Sequence, residues 1–127
     1  PSMQRTPDDV QIATLLQDVH NGMETRRIFK VLAHVSRNYR DQAGRDYNGI
    51  QAYLQDFFER YRDISITRAK TQIQVQGNQA RALETFGTRA RAANPEQDID
   101  IHLQGQVTVN LERIEGQWKI VEWGPLL

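Results

Sequence analysis

Glu84 sits where a core residue belongs. Over residues 80–91, Ala80, Ala82, Glu84, Phe86, Thr88 and Ala90 alternate with Arg81, Leu83, Thr85, Gly87, Arg89 and Arg91, so period-two spacing puts the carboxylate on the face otherwise built for burial. Burial favours the neutral form of a carboxylate, and an acid or base that exchanges protons near neutral pH needs that. The competing reading is a structural carboxylate that bonds a tyrosine hydroxyl or an arginine, or one turned outward by a bulge.

A second group lies in SRNYRDQAGRDYNG, residues 36–49. Tyr39 and Tyr47 carry hydroxyls that can orient a carbonyl or hydroxyl group, and Asp41 can take a proton. Arg37, Arg40 and Arg45 surround them with positive charge. The local alternative is an Asx-type turn from Asp41 to Gly44, with Tyr39 packed on the following helix.

Other chemistries lack their residues. The chain has no cysteine, so disulfides, thiolate metal sites and cysteine nucleophiles are excluded. His20, His34 and His102 show neither i, i+4 spacing nor an HExxH run, and no metal site is expected. Ser2, Ser36 and Ser65 stand in no nucleophile elbow, and no GxGxxG or Walker pattern supports a nucleotide, so no cofactor is expected. Sixteen basic and 16 acidic side chains cancel, leaving no overall field for nucleic acid. No apolar run is long enough for membrane insertion and no signal-peptide core is present. The opening Pro1-Ser2-Met3 runs almost directly into a helix and reads as a trimmed start. A periplasmic or lipid-anchored location behind a removed leader is one expectation, and the cytoplasm the other.

The elements that must position these residues follow from the change of period. Thr6-Pro7-Asp8-Asp9 reads as a helix start with Thr6 as cap and Pro7 as the first helical residue. Val10, Ala13, Leu16 and Met23, beside Ile12, Leu15 and Val19, form an apolar stripe, and Asn21-Gly22 predicts a stop or kink. A second helix from about Glu24 presents Ile28, Val31, Leu32 and Val35. A third begins after Asp46 or Asn48 and repeats Ile50, Tyr53, Leu54, Phe57, Phe58 and Tyr61.

From residue 64 the period is two. The first strand covers residues 64–75 with a turn at Gly77-Asn78. The strand holding Glu84 follows, then the loop NPEQD, then a strand from Ile99 whose Ile101, Leu103, Gly105, Val107, Val109 and Leu111 face one way. Glu115-Gly116 turns into QWKIVEWGPLL, where simple parity puts Trp118 and Trp123 on opposite faces, one in the core and one in a pocket or a subunit contact. Gly87 and Gly105 inside strands predict bends of the sheet.

Three helices before a four-stranded antiparallel meander with one apolar face make an α+β domain, and residues 1–127 read as one unit. SRNYRDQAG, IQVQGNQARALETF and GQVTVNLERIEGQWKIVEW, in this order, resemble the NTF2-like, or cystatin-like, superfamily that includes SnoaL-like polyketide cyclases and ketosteroid isomerases. The resemblance implies a cone-shaped pocket between a curved sheet and the helices, opening near residues 36–49. Tyr39, Tyr47, Tyr53, Phe57, Glu84, Phe86 and Trp118 would line it. It also implies a homodimer through the open sheet face, where Arg89, Arg91, His102, Gln104 and Gln106 lie.

The preferred reading is a non-catalytic module that binds a small apolar or carboxylated molecule, or a protein partner. The alternative is a SnoaL-like isomerase, cyclase or hydrolase with Glu84 or Asp41 as acid or base. Two converging ionisable groups on the concave face would separate the two. The sequence places only Glu84 there.

Overall fold

The computed structural model describes residues 6–125; Pro1-Ser2-Met3 and the final Leu126-Leu127 lie outside the described residues. Helix α1 spans Asp8–Glu24, α2 Ile28–Leu32 and α3 Tyr47–Arg60. Strands β1 (Tyr61–Gln76), β2 (Gln79–Ala92), β3 (Ile101–Ile114) and β4 (Gln117–Gly124) follow. They pair antiparallel in the order β1-β2-β3-β4, a plain meander, and the helices cover one face of the curved, unclosed sheet.

The helix boundaries refine the sequence reading. Pro7, with extended backbone, holds the capping position itself, and no side chain caps α1; Asp8 and Asp9 supply negative charge at the positive end of its dipole. Asn21-Gly22 does not end the helix. Gly22 is buried, and a Cβ there would come within 2.8 Å of Val31 Cγ2, so the glycine lets α2 lie directly against α1. The chain reverses instead at Arg26, whose φ is 55°. Asp46, not Asn48, caps α3 by accepting from the Gly49 amide at 2.8 Å. The apolar stripe of α3 buries Ile50, Leu54, Phe57 and Phe58, each removal of such a side chain from water contributing about 1.5–3 kcal/mol.

Residues 34–40 do not float as a loop. Val35 bridges to Ile120, the Ser36 and Arg40 amides donate to the carbonyls of Ile120 and Val121, and the Ile120 amide donates to the His34 carbonyl. The edge of β4 therefore fixes the stretch that precedes α3.

The strands also differ from pure alternation. β1 starts at Tyr61, directly after α3, and its pairing with β2 slips between Arg62 and Ser65 and between Arg68 and Lys70, with Asp63 at φ 52°. Pairing of β2 with β3 runs unbroken through Gly87 and Gly105, so the irregularities lie on β1 and β4 and not at those glycines. β3 begins at Ile101 and leaves Ile99 84% exposed, because the Asp100 side chain closes the preceding loop onto the Ala92 amide at 2.8 Å.

On β4 the register passes from Asn110↔Glu122 to Leu111↔Ile120, which leaves Val121 as an extra residue. That bulge reverses the parity. Trp118, Ile120 and Trp123 all face the core, and the expectation of tryptophans on opposite faces fails for this reason. Arg89, Arg91, His102, Gln104 and Gln106 are exposed on the other side of the sheet.

Candidate active site in the cone

Between the concave face and helices α1 and α3 lies a cavity of about 90 Å³. Four of the residues expected to line it do so: Tyr53 and Phe57 from α3, Glu84 and Phe86 from β2. Trp118 does not. Its ring lies under the Arg113 guanidinium at 4.8 Å, and its indole N–H donates to Asp8 at 3.2 Å. Trp123 lines the cavity in its place, brought inward by the Val121 bulge.

Tyr39 and Tyr47 are not on the cavity wall. Tyr47 lies beneath the Arg37 guanidinium at 4.2 Å. Tyr39 is buried, and its hydroxyl donates to Asp41 at 2.9 Å with the Trp123 carbonyl 3.3 Å away. Burial, helped by the Asp41 carboxylate, holds the Tyr39 hydroxyl far above the ordinary phenol value.

Asp41 is the hub of its loop. Its two oxygens accept from the Tyr39 hydroxyl, from the Ala43 and Arg45 amides at 3.0 and 3.1 Å, and from the Arg45 guanidinium at 3.2 Å. Burial pushes this carboxyl upward, but those bonds and the Arg45 charge outweigh it and hold Asp41 below the usual carboxylate value. It borders a separate, mixed-charge groove with Arg81, Asn110 and Glu122, so the fold does not bring Asp41 and Glu84 together. Trp123 and Pro125 line both spaces and form the wall between them.

Glu84 is buried as its alternation predicts, with a side chain 2% exposed. What joins it is His20 of α1. His20 Nε2 lies 3.2 Å from Glu84 Oε1, its side chain 12% exposed, and both residues line the cavity. Arg68 Nη1 stands 3.8 Å from Glu84 Oε2, and its guanidinium is held from the other side by the Gln17 side-chain oxygen. Oε2 has no hydrogen-bond partner among the described residues.

His20 was legible only in part: it follows Leu16 by four residues and precedes Met23 by three, which is the spacing of the buried stripe. Its partner, 64 residues away, was not. The remaining wall is mainly apolar, from Met23, Leu54, Ile64 and Ile66 among others, with Tyr53 and Thr88 as its polar-tipped members. Burial raises the Tyr53 hydroxyl, and the Arg45 guanidinium, 4.5 Å above its ring, works against that. Among the described residues no three His, Cys, Asp or Glu side chains gather as a metal site, and no helix is long and apolar enough to cross a membrane.

This architecture recurs among solved structures. A protein of unknown function with a cystatin-like fold from Nostoc punctiforme superposes with a TM-score of 0.72 at 15% identity, covering 98% of each chain. A candidate dehydratase of the NTF2-like family from Streptomyces avermitilis gives 0.77 at 12% identity, over 96% of this chain and 99% of that one. The chain has the NTF2-like, cystatin-like fold. A hexachlorocyclohexane dehydrochlorinase, LinA-type3, from Novosphingobium barchaimii superposes with a TM-score of 0.76 at 15% identity, over 91% and 82% of the two chains. At such identities the likeness to these NTF2-like proteins is one of fold. No protein-family model and no curated protein matches the sequence.

Proposed function

We propose that the cone binds a small, mainly apolar molecule and that the His20–Glu84 pair moves a proton on it. The observation that carries this reading is the convergence of two ionisable side chains, 3.2 Å apart, on the wall of an apolar cavity. Convergence of this kind is the criterion that separates a catalytic cone from a passive one, and it favours the enzymatic alternative over the non-catalytic module.

In the proposed reaction Glu84 takes a proton from a carbon next to a carbonyl, and His20 holds Oε1 in place by sharing a hydrogen bond with it. Where a C=C adjoins that carbon, the electron pair released from the C–H bond is delocalised through it and the proton returns at the γ-carbon as the double bond shifts into conjugation with the carbonyl, an isomerisation; otherwise the pair forms a double bond as a hydroxyl or halide leaves the adjacent carbon, an elimination. A hydroxyl leaves as water after taking a proton from the imidazole, and the proton that Glu84 took from carbon passes across the 3.2 Å contact to restore His20. Two of the proteins that share the fold are named for eliminations, a candidate dehydratase and a dehydrochlorinase.

One observation weighs against a ligand held wholly inside the cone. A cavity of about 90 Å³ is small beside the ~300–1,000 Å³ typical of ligand pockets. Proton exchange separates the two readings directly. Small β-hydroxyketones are incubated in deuterium oxide and the loss of their α-hydrogen signals is followed by NMR. The proposal expects exchange above the buffer rate, falling by at least about 100-fold in Glu84→Gln and His20→Phe. Saturable hydroxyketone binding with exchange at the buffer rate would establish the non-catalytic reading instead.

A further inference from the structure

We infer that the ligand of the cone enters with a neutral hydrogen-bond donor, a hydroxyl or amide N–H, directed at Glu84 Oε2, and is neither a carboxylate nor an ammonium ion. The inference rests on the proposed site and deepens it by naming the chemical class it accepts. Glu84 commits Oε1 to His20, while Oε2, which is buried, accepts no hydrogen bond among the described residues. A buried acceptor left in this state costs stability unless something donates to it, and the cavity on which Glu84 stands is where a donor can arrive.

Charge selects among the possible donors. A carboxylate has only lone pairs to offer to Oε2 and is repelled. An ammonium ion would enter a mainly apolar space that includes Met23, Leu54, Phe57, Ile66, Phe86 and Trp123, where it loses most of its hydration, and the negative charge it seeks already faces the Arg68 guanidinium at 3.8 Å. A neutral hydroxyl donates at little desolvation cost. Size adds a constraint: a dry cavity of about 150 Å³ takes one benzene. The cavity of about 90 Å³ therefore encloses a short polar end of the ligand, with its apolar remainder at the mouth beside Trp123 and Pro125.

The test compares three probes of one shape: 1-butanol, butylammonium and butyrate. Binding is read from the Met23 methyl and Trp123 indole NMR signals of the intact protein. The expected result is a saturable shift with 1-butanol at an affinity at least tenfold above either ion. In Glu84→Gln that preference is expected to collapse to within about threefold. Arg68→Gln is expected to improve butylammonium selectively, because the carboxylate loses its competing cation. Tighter binding of butyrate or butylammonium by the wild type, equal binding of all three, or no binding at all overturns the inference. If Glu84→Gln does not fold, the wild-type ranking alone decides. The two proposals fail separately: alcohol binding without proton exchange retains the donor rule and ends the catalytic reading, and proton exchange without alcohol preference does the reverse.

Discussion

Two buried carboxylates in this protein have opposite surroundings. Asp41 accepts from a tyrosine hydroxyl, two backbone amides and a guanidinium, so each of its oxygens is used twice. Glu84, equally hidden, accepts from His20 at one oxygen and from no described residue at the other. Asp41 sits among partners within four residues in sequence, where a turn can supply them. The partners of Glu84 come from α1 and β1, which the fold had to bring together. The bonding of Asp41 is complete within its loop, whereas the second oxygen of Glu84 is the one that the proposed ligand would complete.

The comparison breaks most easily at Asp41. Asp41→Ala leaves the Tyr39 hydroxyl only its longer contact with the Trp123 carbonyl and orphans two turn amides, and an expected loss of about 3 kcal/mol should appear in urea denaturation. Asp41 also contributes to pH dependence with a definite sign. Its folded pKa lies below the unfolded value of 3.8, so its stabilisation is fully present above that value and is lost as pH falls through the lower folded one. Asp41→Asn should therefore flatten the acid limb of the stability profile. A variant with unchanged stability and unchanged acid sensitivity would show that the loop does not depend on this carboxylate.

Tyr39→Phe probes the same network more gently. The hydroxyl gives up one bond to Asp41 and its approach to the Trp123 carbonyl, and the expected cost is about 1 kcal/mol. Ligand affinity in the cone should not change, because Tyr39 is not on its wall. A selective loss of affinity would return residues 36–49 to the rim of the site.

The smallest stability effect is expected at Glu84. Glu84→Gln keeps the shape, keeps a partner for His20 and removes a charge whose second oxygen was unsatisfied. The change in unfolding free energy should stay within about 1 kcal/mol, measured by the same denaturation. Destabilisation as large as that of Asp41→Ala would erase the distinction between the two carboxylates.

Local periodicity made much of this readable from the chain. Alternation in β2 put Glu84 inside, Asp46 was recognisable as a cap of α3, and Gly77-Asn78 and Glu115-Gly116 marked the hairpins. Each depends on backbone geometry over a few residues. In the loop of residues 36–49 the Asx-type turn at Asp41 was readable as the local alternative, but the anchoring of the loop was not, since the bonds that tie it down run from Ser36 and Arg40 to Ile120 and Val121.

The sequence by itself determined the order of three helices and four strands, the single apolar face of the sheet and the burial of Glu84, because side-chain direction repeats every 3.6 residues on a helix and every two on a strand. Only the tertiary structure decided that His20 meets Glu84, that Trp123 and not Trp118 lines the cone, and that Asp41 stands apart from it. Those outcomes depend on how α1 is rotated against β2 and on one extra residue, Val121, in the pairing of β4 with β3. Such features are set by packing between segments distant in the chain, where a single bulge reverses the facing of every residue beyond it.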